Sequence, residues 1–423
     1  MSEILFKNAR IIDPVRQIDA VDSLGVADGV IVAPGKLKHP EVIDLTGKVL
    51  CPGFIDLHVH LRQPGNTMAE TIASGSRAAA AGGFTSIVAM PNTKPAADNV
   101  GAIELLRSTA MRQAVVKVLP CGCMTCGGMG EEMAPIGSLK QAGVVALSDD
   151  GRCIQDHALM RHIVEYAKSF GLPILDHCED FSLAAGGVMH EGKWSVLLGF
   201  NGISGASEEL MIARNIILAR MIDWRIHMQH VSLKESVELL RQARGKGLKV
   251  TGEATPHHLT LTDEKIKTFD TNYKMNPPLR TEEDRQALIA GIADDTISAI
   301  ATDHAPHTRT AKEVEFDHAP FGIIGLETAF AVCYTELVGK GVISLPHLLK
   351  KFTAGPAEVL GMADYSLREG NAADLVVLDP HATYRIDKNR FYSKSRNTPF
   401  DGMTVSGRVE LTLVDGKIVH GRD

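Results

Sequence analysis

Two histidines stand one residue apart in Asp56-Leu-His58-Val-His60-Leu-Arg62, at the end of the apolar run Val49-Leu-Cys-Pro-Gly-Phe-Ile55. Strand side chains alternate faces with a period of two, so both imidazoles of an extended segment point the same way and converge on one ion. Continued strand geometry puts Arg62 on that face as well. Its guanidinium is a fixed planar cation, suited to bidentate capture of a carboxylate. The segment therefore proposes a metal and an anionic substrate side by side.

Polar residues recur where other apolar segments end. Asp149-Asp150 lies in Ser148-Asp-Asp-Gly151, and His177 in Ile174-Leu-Asp-His-Cys-Glu179. His230 closes His227-Met-Gln-His230, and Asp303 sits in Ala301-Thr-Asp-His-Ala-Pro-His307. Taken singly, a strand-end histidine is most often an ordinary hydrogen-bonded residue, and Asp-Asp-Gly a turn. Recurrence on successive segments is what a metal centre needs. Nitrogen and carboxylate ligands without thiolates suit Zn2+, with Mn2+ or Co2+ open to the same chemistry.

Such residues need elements to bring them together. Strands are expected over 49–60, 84–91, 115–121, 144–148, 173–177, 225–230, 249–254 and 297–302, with helices over 69–81, 157–170, 208–219 and 233–244. Several strands are nearly continuous in apolar residues, as when both faces of a parallel sheet are covered. Eight strand–helix units suggest an α/β chain folded as a (β/α)8 TIM-type barrel, whose C-terminal strand ends meet at one mouth. An open doubly wound sheet gives the same alternation. The chain ends differ, with an Asp28-Gly29 turn, apolar segments over 373–378 and 409–414, and a hairpin signal at Asp415-Gly416. The expected division is a small β domain from 1–50 plus 365–423, flanking a barrel over 51–364.

Composition narrows the classes. With 423 residues, 44% hydrophobic and 22% charged, the chain has the make-up of a folded globular protein. A net charge of −7 argues against a nucleic-acid-binding surface. No apolar stretch approaches the roughly 20 residues that span a bilayer. The start, Met-Ser-Glu-Ile-Leu-Phe-Lys, lacks the pattern of a secretory signal, so the seven cysteines read as reduced thiols of a cytoplasmic protein. Cys121-Gly-Cys123-Met-Thr-Cys126 offers three thiols without a close fourth ligand, and reads as a Gly-rich loop rather than a zinc clip.

Longer stretches carry a resemblance. Pro52-Gly-Phe-Ile-Asp-Leu-His-Val-His-Leu-Arg-Gln-Pro-Gly65, Gly82-Gly-Phe-Thr-Ser-Ile-Val-Ala-Met-Pro-Asn-Thr93, Thr255-Pro-His-His258, Met275-Asn-Pro-Pro-Leu-Arg280 and Ala301-Thr-Asp-His-Ala-Pro-His307 resemble motifs of the amidohydrolase superfamily, and within it the type I dihydroorotases, over nearly the whole chain. The resemblance implies reversible cyclisation of N-carbamoyl-L-aspartate to L-dihydroorotate plus water, a step of pyrimidine synthesis. It implies two Zn2+ ions sharing a hydroxide. His58, His60 and Asp303 would hold the more buried ion, His177 and His230 the second. Many superfamily members bridge the ions with a carbamylated lysine. Here the fourth strand ends Ala146-Leu-Ser-Asp-Asp-Gly151, as in the relatives that use an aspartate. Asp150 is then the bridge, Asp149 the register-shifted alternative, and no lysine modification is expected.

The same resemblance makes Asp303 the proton shuttle, and Arg62, Asn92 and His307 the holders of the substrate's free carboxylate. Asn276 would read its ureido edge. Asn92 as a turn residue and Asn276 as a shaper of its Pro-rich loop are the plainer readings. Residues 307–321 form a long loop, expected to act as a lid. Gln63 departs from the family's Leu-Arg-Glu-Pro-Gly, with an effect expected on loop packing. Hydantoinase or allantoinase is the rival activity, and would carry a bridging lysine and lack Arg62. An inactive dihydroorotase-like partner of aspartate transcarbamoylase would lose ligands. The partners implied are the small-molecule substrate, a second copy as homodimer and aspartate transcarbamoylase, with no nucleic acid and no membrane.

Overall fold

The computed structural model describes residues 3–421. Eight parallel strands follow one another in chain order: Phe54–Val59, Phe84–Ala89, Lys117–Gly122, Ala146–Leu147, Ile174–Asp176, Ile226–Met228, Val250–Ala254 and Ala299–Ile300. Just past the eighth strand His304 bridges back to Val59 in parallel, and the His60 amide donates to the His304 carbonyl at 2.9 Å. The sheet thus closes on itself as a barrel. An open doubly wound sheet would reverse its strand order, and no reversal occurs among these strands.

The apolar run over 49–60 is two strands rather than one. Val49–Pro52 pairs antiparallel with Leu375–Arg385 and parallel with Glu3–Asp13, outside the barrel, while Phe54–Val59 begins the barrel. Gly53 is the crossing point. A Cβ there would meet Thr85 Oγ1 at 2.1 Å, so only glycine lets the chain pass so close to the second barrel strand. Every residue from 49 to 60 is buried, so the change of sheet leaves no polar mark in the sequence.

The chain ends share the second sheet. Its order is Lys417–His420, Thr404–Val414, Leu375–Arg385, Val49–Pro52, Glu3–Asp13, Ile18–Ala27 and Val30–Val32, with Glu41–Asp44 also on Glu3–Asp13. The residue-50 boundary falls inside Val49–Pro52. Asp28 and Asp415, at φ 49° and 45°, make the two tight turns, each followed by a glycine at positive φ. This sheet buries its own core of Phe6, Leu24, Leu375 and Leu413. A separate aromatic cluster joins barrel strands to outer helices, with Phe54 stacked 5.1 Å from Phe352.

Helices Ile72–Ala81, His157–Ser169, Ala206–Ile222 and Lys234–Gly245 occupy the expected places. The first starts three residues late because the Thr71 side chain accepts from the Ser74 amide as N-cap. Gln63 Oε1 accepts from the Ile72 amide at 2.9 Å, so this departure from the family pattern serves a helix start. No helix among the described residues is long and apolar enough to cross a membrane. All seven cysteines are free thiols. Cys123 and Cys126 point at the carbonyls of Pro91 and Met133, as small loop residues do.

Candidate metal centre at the barrel mouth

Four imidazoles and two carboxylates converge where the strands end. His58 Nε2 lies 3.1 Å from Asp150 Oδ1 and 3.4 Å from Asp303 Oδ1. His60 Nε2 lies 3.3 Å from Asp150 Oδ2 and 3.2 Å from Asp303 Oδ1. On the other side, His177 Nδ1 is 3.6 Å and His230 Nε2 4.0 Å from Asp150 Oδ1. Two groups, His58/His60/Asp150 and Asp150/His177/His230, each have the spacing to hold an ion, and Asp150 is common to both.

The donor set fits divalent cations. All six residues are buried, and His58 Nε2 and His230 Nδ1 have no hydrogen-bond partner although sealed from solvent. Buried polar atoms of this kind ordinarily find one. His177 Nδ1 and His230 Nε2 face each other at 2.9 Å. The field of the carboxylates favours positive charge here. Burial disfavours the His177 imidazolium, yet hydrogen bonds to Asp150 and Glu179 outweigh it and raise its pKa to about 10. Burial likewise opposes ionisation of Asp150, but His58, His177 and His60 hold it well below the usual carboxylate range.

Asp149 points elsewhere. Its Oδ1 accepts from the Met124 amide at 2.7 Å and the Thr125 amide at 3.2 Å, and its Oδ2 accepts from the Thr125 hydroxyl. The register-shifted reading of Asp-Asp-Gly therefore has no geometric counterpart, and Asp150 alone of the pair faces the imidazoles.

Arg62 reaches the mouth by a route the alternation argument did not foresee. The first strand ends at Val59, and Arg62 adopts a left-handed conformation with φ 56°. The turn brings its guanidinium over Pro306, whose carbonyl accepts from Nε at 3.2 Å, and leaves the rest of the group beside Asp303 and Asp150. His307 lies close by. Burial, then the charges of Arg62 and Lys312, push its pKa down to about 3, so it is neutral and its Nε2–H donates to the Phe321 carbonyl at 2.7 Å.

The two asparagines are tied to candidate ligands. Asn92 Oδ1 accepts from His60 Nδ1 at 3.0 Å, and its Nδ2 lies 3.3 Å from Asp150 Oδ2. It braces a histidine and the shared aspartate, which is more than a turn residue does. Asn276 Nδ2 donates to Glu179 Oε1 at 2.9 Å, and the other oxygen of Glu179 is 3.8 Å from His177 Nε2. His258 supports the same loop, with Nε2 3.0 Å from the Pro277 carbonyl. A cavity of about 260 Å3 opens onto Asn92 and Asp150 between loops of the second, third and fourth strands.

The 307–321 segment is less loose than a long open loop. It contains the helical turn Arg309–Lys312, and Lys312 Nζ donates to the carbonyls of Lys274, Pro320 and Gly322 at 3.3, 3.0 and 3.1 Å. Lys312 is 5% exposed, and burial together with Lys274 pushes its pKa down to about 7.

Two carboxylates, one half-buried and one fully buried, escaped the sequence reading. Glu179 is one. The other is Glu253, whose Oε1 is 3.3 Å from His58 Nδ1 and whose Oε2 is 3.0 Å from His227 Nε2. Burial would raise its pKa, but the hydrogen bonds from His227 and His58 hold it at about 2. The available signal was an acidic residue inside the otherwise uncharged strand Val250–Ala254, where an unpaired charge would be prohibitive.

The chain is similar to known proteins over nearly its whole length. A family model described as dihydro-orotase-like matches residues 47–236, and an amidohydrolase family model matches 326–420. A protein of Thermoanaerobacter sp. (strain X514) named dihydroorotase is 48% identical over 99% of this chain and 98% of its own. One of Solibacter usitatus with the same name is also 48% identical, at the same coverage. Among solved structures, an L-hydantoinase from Arthrobacter aurescens superposes with a TM-score of 0.89 at 26% identity, covering 100% of this chain and 96% of that one. A D-hydantoinase from a Bacillus sp. AR9 gives 0.87 at 25%, covering 99% and 95%.

Proposed function

This chain belongs to the dihydroorotase family of amidohydrolases, and from that premise we propose how its barrel-mouth residues interconvert N-carbamoyl-L-aspartate and L-dihydroorotate. The observation that carries the reading is Asp150 standing between two histidine pairs, with Arg62 beside them. An aspartate between the pairs, where a hydantoinase is expected to carry a modified lysine, and a half-buried cation for a carboxylate together favour dihydroorotate over neutral cyclic amides.

In this reading His58, His60 and Asp303 would hold one Zn2+ and His177 and His230 a second, with Asp150 common to both groups. When bound, the ions supply Lewis acidity toward a carbonyl oxygen and lower the pKa of water toward neutrality. The remaining work falls to the protein. Arg62 binds the free carboxylate of the substrate through its planar fork, and the neutral imidazole of His307 stands next to it. Asn276 reads the ureido edge, and Asn92 assists at the carboxylate while keeping His60 in place. In the hydrolytic direction water adds to the ring amide carbonyl and the C–N bond breaks. Asp303 takes the proton of the attacking water and delivers it to the departing ring nitrogen, a general base then a general acid. Cyclisation runs the same steps backwards, with the side-chain carboxylate losing one oxygen as water. The folded 307–321 segment lies over this chemistry as a lid that excludes solvent.

A cytoplasmic setting, and association with a second copy or with aspartate transcarbamoylase, belong to the same proposal. The test is zinc analysis of the purified protein alongside conversion of N-carbamoyl-L-aspartate to dihydroorotate. Two zinc ions per chain with turnover that chelation abolishes and zinc restores is the expected result. Turnover that persists after complete removal of metal would refute it.

A further inference from the structure

Glu253 is fully buried and touches no position to which the proposed reaction assigns substrate. It sits on the seventh barrel strand, Val250–Ala254, with its carboxylate directed at the inner side of His58. Because an ionised carboxylate only accepts, the 3.3 Å contact requires His58 Nδ1 to carry the proton. Its Nε2 is then the lone-pair nitrogen, and this is the atom that faces Asp150 and Asp303 without a hydrogen-bond partner. Gln229 also approaches His58 Nδ1, with its amide end at 3.2 Å. With the proton on Nδ1 that amide turns its oxygen inward and gives its NH2 to the Ser148 hydroxyl, 3.3 Å from the other end of the amide.

Glu253 is itself held. Its Oε2 accepts from His227 Nε2 at 3.0 Å, and His227 Nδ1 accepts from the Thr251 hydroxyl at 2.8 Å. His227 and Thr251 line a cavity of about 420 Å3 on the far side of the barrel from the candidate ligands, with Arg225, Arg244 and Lys249 around it. A single run of hydrogen bonds thus crosses the barrel interior, from that floor to the imidazole at the mouth. Its middle member is an acidic residue that has no hydrophobic reason to be there.

We infer that Glu253 is a positioning residue. It fixes His58 in the tautomer and ring orientation that present Nε2 to a cation, while His227 and Thr251 fix Glu253 from the barrel floor. Carboxylate partners of metal-binding histidines act in this way, and their loss costs roughly 10- to 100-fold in metal affinity. This inference rests on the metal reading proposed above.

The test uses full-length protein stripped of metal and titrated with Zn2+ against a chromophoric chelator, together with the unfolding midpoint of each metal-free variant. Glu253→Gln should raise the dissociation constant of one zinc by roughly 10- to 100-fold, leave the other zinc unchanged and scarcely move the metal-free midpoint. His227→Phe should weaken the same zinc to a smaller extent, and His227→Gln, which restores a donor, should recover much of the loss. If Glu253→Gln does not fold, the two His227 variants carry the test alone. Unchanged zinc affinity, or equal weakening of both ions with a matching fall in midpoint, would overturn the inference. A wild-type protein that binds no zinc would instead refute the metal reading itself.

Discussion

At the scale of residues, the proposed chemistry rests on a division of labour among the carboxylates. Asp150 stands between the histidine pairs, Glu253 stands behind His58, and Asp303 faces both His58 and His60 from a left-handed backbone, φ 47°. Asp303→Asn removes the proton acceptor of the proposed mechanism while keeping shape. It should lower kcat roughly 100- to 10,000-fold with the fold intact by circular dichroism. A kcat near that of the wild type would disprove the shuttle. Arg62→Met should act on binding, raising KM for dihydroorotate by roughly 10- to 100-fold, the cost of a charge-assisted hydrogen bond. If a neutral cyclic imide suffers equally, Arg62 is structural. The candidate ligands were legible because each ends an apolar segment, as His58-Val-His60 and Ser148-Asp-Asp150 do. Glu179 and Glu253 were not. Their meaning depends on which imidazole lies opposite, and that is a property of the closed barrel.

At the scale of elements, the 307–321 segment offers the clearest pH signature. Lys312 keeps its ammonium against three carbonyls in a buried place that lowers its pKa to about 7, whereas in the unfolded chain it keeps the ordinary lysine value near 10.5. Between those values the unfolded state holds a proton that the folded state lacks. Stability from this group therefore rises with pH across about 7 to 10.5, with a slope of at most about 1.4 kcal/mol per unit, and the burial cost is fully present below pH 7. Lys312→Met should flatten that slope in urea unfolding measured from pH 7 to 10. An unaltered slope would mean that Lys312 does not titrate there. Elements also set the limit of what the sequence discloses. The 49–60 run reads as one strand because a continuous apolar segment looks the same in one sheet or two, and only the space at Gly53 separates them. Arg62 was placed by alternation along a strand that had already ended. Turn geometry brings it to the mouth all the same.

At the scale of the whole molecule, eight strand–helix units and two β-rich ends were legible in the sequence, because buried parallel strands and Asp-Gly turns each leave a plain local pattern. Closure was not, since an open sheet alternates in the same way. It rests on the pairing of His304 with Val59, between residues 245 apart in sequence. That contact also brings Asp303 against His58 and His60, so barrel and candidate site close together. Hydantoinases share the barrel at 26% identity, and dihydroorotases share 48% of the sequence, so architecture alone does not choose the substrate. In the proposed reading the choice lies in the half-buried Arg62 guanidinium, which a neutral ring would leave unpaired. The most direct test is kcat/KM of the zinc-loaded protein on L-dihydroorotate, hydantoin, dihydrouracil and allantoin under one set of conditions. Turnover of dihydroorotate with a preference of roughly 10,000-fold over the neutral rings is the result expected. No turnover of dihydroorotate, with hydrolysis of any neutral ring, would contradict the account.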